Sequence, residues 1–368
     1  MLPSLLHADR QADQAANLTM GDPREWAADL DLAALVESMA NNQPALAERI
    51  NHVLTEELTN QIDEILYRQA ILRDARQHAQ WFRQLYSLLD QGISRFDSIY
   101  RADQPGYSHF LPVTERLRTA VQLQSILLDL AEKILKHIRP TDGLFASEGM
   151  LNLLPAYRRF FSSDFLQQFR KRHAEFSAIT QNSCLVVGAR PGNGLKIADC
   201  RIRQIEPGHK PGHLAKGARV IELDSISFQM KALELRDILL SSMLSLAAGI
   251  NQKTVTVLRQ MCDEIGFYVG CLNLERKLIQ IGVPYCFPLP YPAADKRLHF
   301  QGLTDIGLAL RTGKCPTGNT LGLDDAHLIV ITGANQGGKS TFLRSIGLAQ
   351  IMLQSGLFVA AEHFTASV

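Results

Sequence analysis

The most constraining stretch of this sequence is a glycine-rich turn near its C-terminal end, at residues 333–340. The turn fits the pattern G-x-x-x-x-G-K-[ST] at every fixed position. Four apolar residues, 328–331, precede it and predict a strand buried on both faces of a parallel sheet. Apolar residues at three- and four-residue spacing follow it and predict a helix that starts near Lys339. The sequence therefore predicts a strand, a loop and a helix in that order.

The residue types in this turn suit a triphosphate. Its glycines allow positive φ and let successive backbone N–H groups surround an anion, towards which the following helix points the positive end of its dipole. Lys339 would place a cation at the β- and γ-phosphates, and the Ser340 hydroxyl would complete a Mg²⁺ shell. We therefore predict a site for ATP or ADP with Mg²⁺ formed by Gly333, Ala334, Asn335, Gln336, Gly337, Gly338, Lys339, Ser340 and Thr341. The alternative is a glycine-rich turn that matches the pattern by chance.

The wider sequence around the turn resembles the start of the ATPase domain of MutS-family proteins. Residues 331–344 follow the family pattern T-G-x-N-x-G-G-K-S-T with an aromatic residue, a hydrophobic residue and Arg after it, and 354–362 resemble the strand entry that comes next. Ala334 and Gln336 replace the Pro and Met of the common family form, at positions that carry no phosphate chemistry. Residues 67–74 resemble the Y-R-Q-x-h-h-x-D segment (h is hydrophobic) of the family's helical lever.

This resemblance implies a DNA-binding ATPase of DNA repair or recombination. ATP binding would be coupled to movement of the lever, and two copies would form a homodimer through the ATPase domain. The Phe-x-Glu motif of the family's mismatch-recognition domain does not occur in the sequence, so we expect a subfamily without that domain. In the family the acidic catalytic residues lie well downstream of the loop. The resemblance therefore implies a fragment of a longer protein, with unknown catalytic residues and little or no ATP hydrolysis by itself.

Two other functions remain open at this point. The chain could be a nucleotide-binding helical scaffold that acts through protein partners without DNA. It could also belong to another class of P-loop ATPase, such as the ABC-like or SMC-like proteins, which also join long helices to a phosphate-binding loop.

Composition limits the location and the partners. The formal net charge of +1 provides no overall field for nucleic acid, so any contact with DNA must come from local patches. Six scattered cysteines without a C-x-x-C pair argue against zinc and against a disulfide framework. The sequence has no signal peptide and no apolar run long enough for a membrane span. We expect a soluble cytoplasmic protein.

The periodicity of the chain predicts a mainly α fold with a small antiparallel β insertion, followed by the incomplete beginning of an α/β P-loop NTPase domain. We predict a flexible leader at 1–22, a helical core and lever at 23–283 with the insertion at about 180–226, and the ATPase domain from 284 to 368. The insertion has three predicted strands, at 183–188, 195–202 and 219–223. The helix after it is expected to run from 227 to 280, with an interruption near Gly249.

Three further groups of residues are candidates for function. Cations near aromatic residues indicate a phosphate-backbone contact at Arg158, Arg159, Arg170, Lys171 and Arg172, all on one helical stretch. The alternative is that Phe161, Phe165 and Phe169 face the core and the cations are solvated. His299 and Phe300 are candidates for packing near the base. We interpret the acidic pair Asp63–Glu64 as a solvated helix face, not as a metal site.

Overall fold

A computed structural model describes residues 3–8, 23–102, 111–141, 143–181, 183–191, 197–207, 226–325, 328–334 and 337–368. Most of them are helical, which confirms the mainly α prediction. The helices are α1 (Pro23–Asp29), α2 (Leu32–Ala40), α3 (Pro44–Glu56), α4 (Ile62–Gln77), α5 (Ala79–Ala102), α6 (Val113–Ile138), α7 (Glu148–Phe160), α8 (Ser163–Gln181), α9 (Ile226–Ile281), α10 (Ile306–Thr312) and α11 (Lys339–Gln354). The strands are β1 (Ser183–Pro191), β2 (Ile197–Pro207), β3 (Leu289–Tyr291), β4 (Leu298–Leu303), β5 (Asn319–Leu323) and β6 (His363–Ser367).

The chain divides into two compact units. The first unit comprises Met1–Ser87, His137–Arg159 and Gln260–Val368, and the second comprises Leu88–Lys136 and Phe160–Arg259. No helix among the described residues has both the length and the apolar character that crossing a membrane requires.

The first unit contains a four-stranded sheet in the order β3-β6-β4-β5. Strands β3 and β6 run parallel, whereas β4 is antiparallel to both β6 and β5. The sheet is therefore mixed, which the sequence did not indicate. Phe300 of β4 and Phe364 of β6 are buried, and their rings stack with centroids 6.1 Å apart.

The predicted strand at 328–331 does not form, and this prediction is wrong for the structure described. Leu328 is 82% exposed and Val330 is 74% exposed, so the apolar side chains are not buried on two faces. A strand needs hydrogen-bonded neighbours, and the described sheet ends at β3 and β5 without pairing to this segment. The start of a parallel-sheet P-loop domain is thus not confirmed by the structure.

The second unit is held together by apolar side chains from three helices. Leu117, Ala120 and Val121 of α6 pack with Phe176 of α8 and with α9. The predicted β insertion is confirmed for β1 and β2, which pair antiparallel. The third predicted strand, 219–223, lies outside the described residues.

Helix α9 is continuous from Ile226 to Ile281, so the predicted interruption near Gly249 is wrong. Ala247 and Asn251 on either side of the glycine are buried, and the Asn251 amide donates to the Ala120 carbonyl oxygen over 2.9 Å. This packing outweighs the roughly 1 kcal/mol that glycine costs inside a helix. The helix ends as predicted before Pro284, at Gly282 with a φ of 79°.

Residues 3–8 contrast with the prediction of a flexible leader at 1–22. Leu5 and Leu6 are fully buried. The Ser4 hydroxyl and the Leu5 N–H both donate to the buried carboxylate of Glu264, over 2.8 and 2.9 Å. The Tyr268 hydroxyl donates to the Leu5 carbonyl oxygen over 2.7 Å. Two buried leucines with satisfied backbone groups make this short segment part of the core. We call residues 3–8 the N-terminal strap.

Candidate nucleotide-binding site

Helix α11 begins at Lys339, as predicted, and Gly338 is its N-cap with φ 81° and ψ 8°. The N–H of Phe342 donates to the Gly338 carbonyl oxygen over 2.9 Å in the first turn. The N–H groups of residues 339–341 precede that hydrogen bond, and a glycine cap has no side chain to accept from them. Three backbone donors and the positive end of the helix dipole are thus directed at the turn.

The turn itself is built to exclude side chains. A Cβ added at Gly337 would lie 2.9 Å from the Ala334 carbonyl oxygen, to which the Gly337 N–H donates over 3.1 Å. Gly333 has a φ of 153°, which side-chain-bearing residues rarely adopt. The glycines are therefore required by the backbone path, and this explains why the motif needs them at these positions.

Lys339 and Ser340 lie at the mouth of this turn. The Lys339 ammonium donates to the carbonyl oxygens of Gly333 and Ala334 over 2.8 and 2.7 Å. Ser340 is exposed and Thr341 is half-buried. Asn335 and Gln336 lie outside the described residues. A cation, a hydroxyl and backbone donors at a glycine-rich turn are a donor set that fits a Mg²⁺-bound triphosphate.

The other end of α11 contacts helix α4. Gly356, two residues beyond the helix, has a φ of 77°, and a Cβ there would lie 2.4 Å from the Cβ of Arg68. The Thr59 N–H also donates to the carbonyl oxygen of Gln354, the last residue of α11, over 3.3 Å. The helix that starts at the glycine-rich turn therefore ends directly on the segment that leads into α4.

Arg68 is 1% exposed, and all of its guanidinium nitrogens have acceptors. Its Nε donates to the carbonyl oxygen of Leu6 in the N-terminal strap over 2.7 Å. Its Nη1 donates to the Glu57 carbonyl oxygen and its Nη2 to Glu64 Oε1, each over 2.8 Å. Glu64 is thus a structural partner of a buried arginine, and our interpretation of Asp63–Glu64 as a solvated face is wrong for Glu64.

Two carboxylates beside Arg68 hold their charge because of nearby cations. Burial would raise the pKa of Glu57, but contacts with His7 and Arg49 outweigh it and lower the pKa from 4.5 to about 2. Burial would likewise raise the pKa of Glu64, but His7 and Arg68 more than offset this effect and lower that pKa. Arg49 contacts both oxygens of Glu57, over 2.8 and 3.2 Å. The strap residue His7 and two arginines therefore form one cluster of polar contacts with these carboxylates.

The remaining motif residues of α4 connect other parts of the first unit. Gln69 donates to the Pro288 carbonyl oxygen over 2.9 Å. Asp74 accepts from the N–H groups of Ala146 and Ser147, directly before α7. Burial raises the pKa of Tyr67 to about 12, which keeps its hydroxyl as a donor to the Ser4 carbonyl oxygen. The sequence distinguishes residues 67–74 only by their resemblance to the family's lever segment, and it predicts none of these contacts.

The side of α11 is also fixed. Arg344, the arginine of the family motif, lies 3.5 Å from Asp305, whose other oxygen caps α10 by accepting from the Leu308 N–H. The Arg344 Nε donates to the Asp29 carbonyl oxygen over 3.3 Å. Gly347 allows the side chain of Leu30 to pack against the helix. These contacts restrict α11 along its length.

The predicted DNA contacts are divided between two helices, α7 and α8, so they do not lie on one helical stretch. Arg158 donates to the Ile138 carbonyl oxygen and the Thr141 hydroxyl, which gives it a structural role at the end of α6. Arg170 and Arg172 are paired with Glu132 and Glu175. Arg159 and Lys171 are exposed.

The aromatic residues beside these cations follow the alternative that the sequence left open. Phe161 and Phe169 are buried, and Phe165 packs between them with ring centroids 6.1 and 5.7 Å away. Phe300 is also a core residue, in contact with Phe342 and Phe364. His299 is paired with Asp324 over 2.8 Å.

Two protein-family models match this chain. A family model described as the MutS2 N-terminal domain matches residues 60–281, and a model described as MutS domain V matches residues 329–368. The first match contains α4 with its Tyr67-Arg68-Gln69 sequence, and the second contains the glycine-rich turn and α11. Neither matched family is a mismatch-recognition domain.

Each individual relative matches this chain over only a part of the relative's own length. A DNA mismatch repair protein MutS from Petrotoga mobilis is 24% identical over 267 residues, which is 70% of this chain and 31% of the relative. An endonuclease MutS2 from Thermus thermophilus is 51% identical over 45 residues, 12% of this chain and 6% of the relative. One from Streptococcus thermophilus is 52% identical over 48 residues, 13% and 6% respectively. The chain thus corresponds to less than a third of these relatives, and it belongs to the MutS family.

Proposed function

We propose that this chain is the nucleotide-sensing part of a DNA-associated MutS-family ATPase. It binds ATP or ADP with Mg²⁺ at residues 333–341 and passes the nucleotide state along α11 to the lever helices. The observation that carries this proposal is the turn at the start of α11, whose backbone path tolerates only glycine at Gly337 and Gly338 and which holds the Lys339 ammonium beside it.

Each group has a role that its position supports. The N–H groups of residues 339–341 would donate to phosphate oxygens, and the Lys339 ammonium, which contacts the carbonyl oxygens of Gly333 and Ala334, would bind the phosphates. The Ser340 hydroxyl would be one Mg²⁺ ligand. Bound Mg²⁺ would neutralise phosphate charge and polarise the terminal phosphoryl group.

The path from the turn to the lever is one helix. Helix α11 has 16 residues and is therefore ~24 Å long. Its C-terminal end contacts Arg68 through Gly356, and Arg68 contacts the N-terminal strap and two carboxyl-bearing residues. A displacement of α11 on phosphate binding would reach α4 without an intervening loop, because the contact between backbone and buried side chain leaves no free space.

The relatives support DNA as a partner of the complete protein. One of those described is named a DNA mismatch repair protein, and two are named endonucleases. We extend to the complete protein of this chain an ATPase activity in DNA repair or recombination and a homodimer formed through the ATPase domain.

Titration calorimetry with Mg²⁺ and ATP or ADP tests the nucleotide site. We expect binding by the wild-type chain and about ten- to a hundredfold weaker binding by Lys339→Ala, because a hydrogen bond to a charged group contributes about 1.5–3 kcal/mol. The thermal midpoint should stay close to that of the wild type, since the contacts of Lys339 are exposed. Lys133→Ala, which removes an exposed lysine from α6, is the matched control. Absence of heat with the folded wild-type chain would contradict the proposal.

Hydrogen exchange tests the coupling separately. Addition of Mg²⁺ and ATP should alter amide exchange in residues 62–77 of the wild-type chain and leave it unchanged in Lys339→Ala. Binding without any change in α4 would retain the nucleotide site and remove the lever from the proposal.

A further inference from the structure

Arginines are concentrated on one face of the first unit, away from the glycine-rich turn in sequence. Arg73 and Arg76 lie on α4, Arg83 on α5 and Arg276 near the end of α9. Direct contacts join these helices, since Arg76 bonds to Glu275 and Arg83 bonds to Asn273, the neighbours of Arg276. We call these four residues the arginine surface.

Aromatic rings orient two of these guanidinium groups. The guanidinium carbon of Arg73 lies 4.4 Å from the ring centroid of Phe287. That of Arg76 lies 5.4 Å from the Phe287 ring and 5.5 Å from the Tyr285 ring. A guanidinium held over a ring keeps donors at its edge for another acceptor and loses less conformational entropy on binding. The geometry is thus prepared for contact with an anion.

The charge on this surface is only partly compensated. Glu275 pairs with Arg76 over 2.5 Å, whereas the described partners of Arg73 and Arg83 are the neutral Gln69 and Asn273. Arg276 is exposed. The pKa of Arg73 is lowered by burial and, to a smaller extent, by repulsion from Arg76. The pKa of Arg83 is lowered in the same way by burial and by repulsion from Arg276. A polyanion would relieve this repulsion.

The exposed positions around the arginines are suited to the same partner. The exposed residues close to them in sequence include four glutamines and a lysine, beside the apolar Ile279, and no exposed carboxylate lies between them: Gln77, Gln80, Gln84, Lys277 and Gln280. Amide and ammonium groups donate to phosphate and sugar oxygens, and clustered cations without acidic neighbours attract the backbone of a nucleic acid. An acidic protein segment would also be attracted, but the broad band of amide donors favours a repeating phosphate chain.

We propose that the arginine surface binds the phosphate backbone of duplex DNA without reading its sequence. This inference rests on the proposed function, because it places the DNA partner of that function on α4, α5 and α9. The arginine surface thus takes the place of Arg158, Arg170 and Arg172 as the proposed site of contact with the phosphate backbone of DNA. The charges of those three arginines are engaged in contacts within the protein.

The test is fluorescence anisotropy with a labelled duplex of random sequence, titrated without nucleotide at several salt concentrations. The double variant Arg73→Gln with Arg276→Gln should bind about tenfold or more weakly at low salt, and its slope of log affinity against log salt should fall by about 2 because each lost phosphate contact contributes about 0.9. The control variant Arg118→Gln with Lys133→Gln removes the same charge from ion pairs within α6 and should bind as the wild type does. Arg73→Lys with Arg276→Lys keeps the charge and should be intermediate.

The outcomes separate this surface from the nucleotide site. Equal loss in the two glutamine double variants, or no binding of the duplex by the folded wild type, would overturn the proposal. So would binding of polyglutamate as tight as that of the duplex, which would identify an acidic protein partner. Because the titration contains no nucleotide, a failed calorimetry experiment on ATP leaves its result unaffected. Melting curves of the variants exclude loss of fold as the cause.

Discussion

Helix α11 ends in two contrasting environments within the first unit. At its N-terminal end the described residues of the glycine-rich turn before Lys339 are exposed, and the Lys339 ammonium contacts two exposed carbonyl oxygens. At its C-terminal end Gly356 contacts Arg68, a fully buried arginine whose three acceptors belong to the N-terminal strap, the end of α3 and α4. One end has polar groups available to a ligand, and the other has polar groups that are already satisfied.

This difference shows how one helix can serve both binding and transmission. Exposed polar groups can exchange water for phosphate at small cost, so the turn can bind and release a ligand. Buried charged groups lose several kcal/mol when a partner is removed, so the Arg68 cluster holds its geometry. Because the Arg68 cluster at the C-terminal end of α11 is stable, a displacement of α11 caused by a ligand at its N-terminal end should be detectable in α4. The predictions below test whether the two ends differ as much as the contacts indicate.

The largest effect should come from Arg68→Met. The variant keeps much of the apolar volume but leaves the carbonyl oxygens of Leu6 and Glu57 and the Glu64 carboxylate without their donor. Removal of one partner from a buried charged network costs about 3–5 kcal/mol. Urea unfolding followed by circular dichroism should show this loss. Arg118→Met, which breaks an exposed pair with Glu115, should cost about 0–1 kcal/mol. A loss below about 1 kcal/mol in Arg68→Met would show that the cluster is no more rigid than the surface.

Gly356→Ala should have the next largest effect. The new Cβ meets Arg68 at 2.4 Å and the backbone has a φ of 77°, so strain and overpacking should together cost about 2–4 kcal/mol. Gly313→Ala is a matched control, because its φ is 64° and nothing lies within 4 Å of the added Cβ. It should cost about 1–2 kcal/mol, from the backbone alone. If urea unfolding showed equal losses of unfolding free energy in the two variants, the segment after α11 would not be packed tightly against Arg68.

The same contrast explains what could be predicted from the sequence. The turn was found because its chemistry depends on a contiguous motif, and the start of α11 at Lys339 and the end of α9 before Pro284 follow from local rules for helix termini. The sequence predicts a flexible leader at 1–22, whereas Ser4 in the strap bonds to Glu264, 260 residues away in the chain. No local pattern marks Leu5 and Leu6 as core residues, since each is buried by helices distant in sequence.

Two other misinterpretations have the same origin in long-range packing. Residues 328–331 have the apolar composition of a buried strand, but strand formation depends on neighbouring strands that composition does not reveal. The sequence predicts a break near Gly249, whereas the packing of Ala247 and the hydrogen bond from Asn251 to Ala120 stabilise a continuous helix. Arg68 stood in a recognised motif, and only the structure shows that Gly356 and the strap converge on it.

The smallest of these effects concerns acid stability at the buried end. The folded-state pKa of Glu57 is about 2, below its unfolded value near 4.5. A lowered pKa stabilises the fold fully above pH 4.5, and this contribution is lost as the pH falls through that window towards 2. We expect Glu57→Gln to flatten the pH dependence of the free energy of unfolding in this window, with a difference of about 1–3 kcal/mol at neutral pH.

Arg49→Gln refines this experiment, because it removes the cation that contacts both oxygens of Glu57 and leaves the carboxylate in place. The pKa of Glu57 should then rise towards 4.5, and the acid-unfolding midpoint should move to higher pH. Urea unfolding at a series of pH values measures both variants. If each keeps the wild-type slope, Glu57 does not carry the acid sensitivity, and the cluster is held by Arg68 and Glu64 without it. If both flatten it, the strap and the end of α3 are bound by charge as well as by the buried leucines.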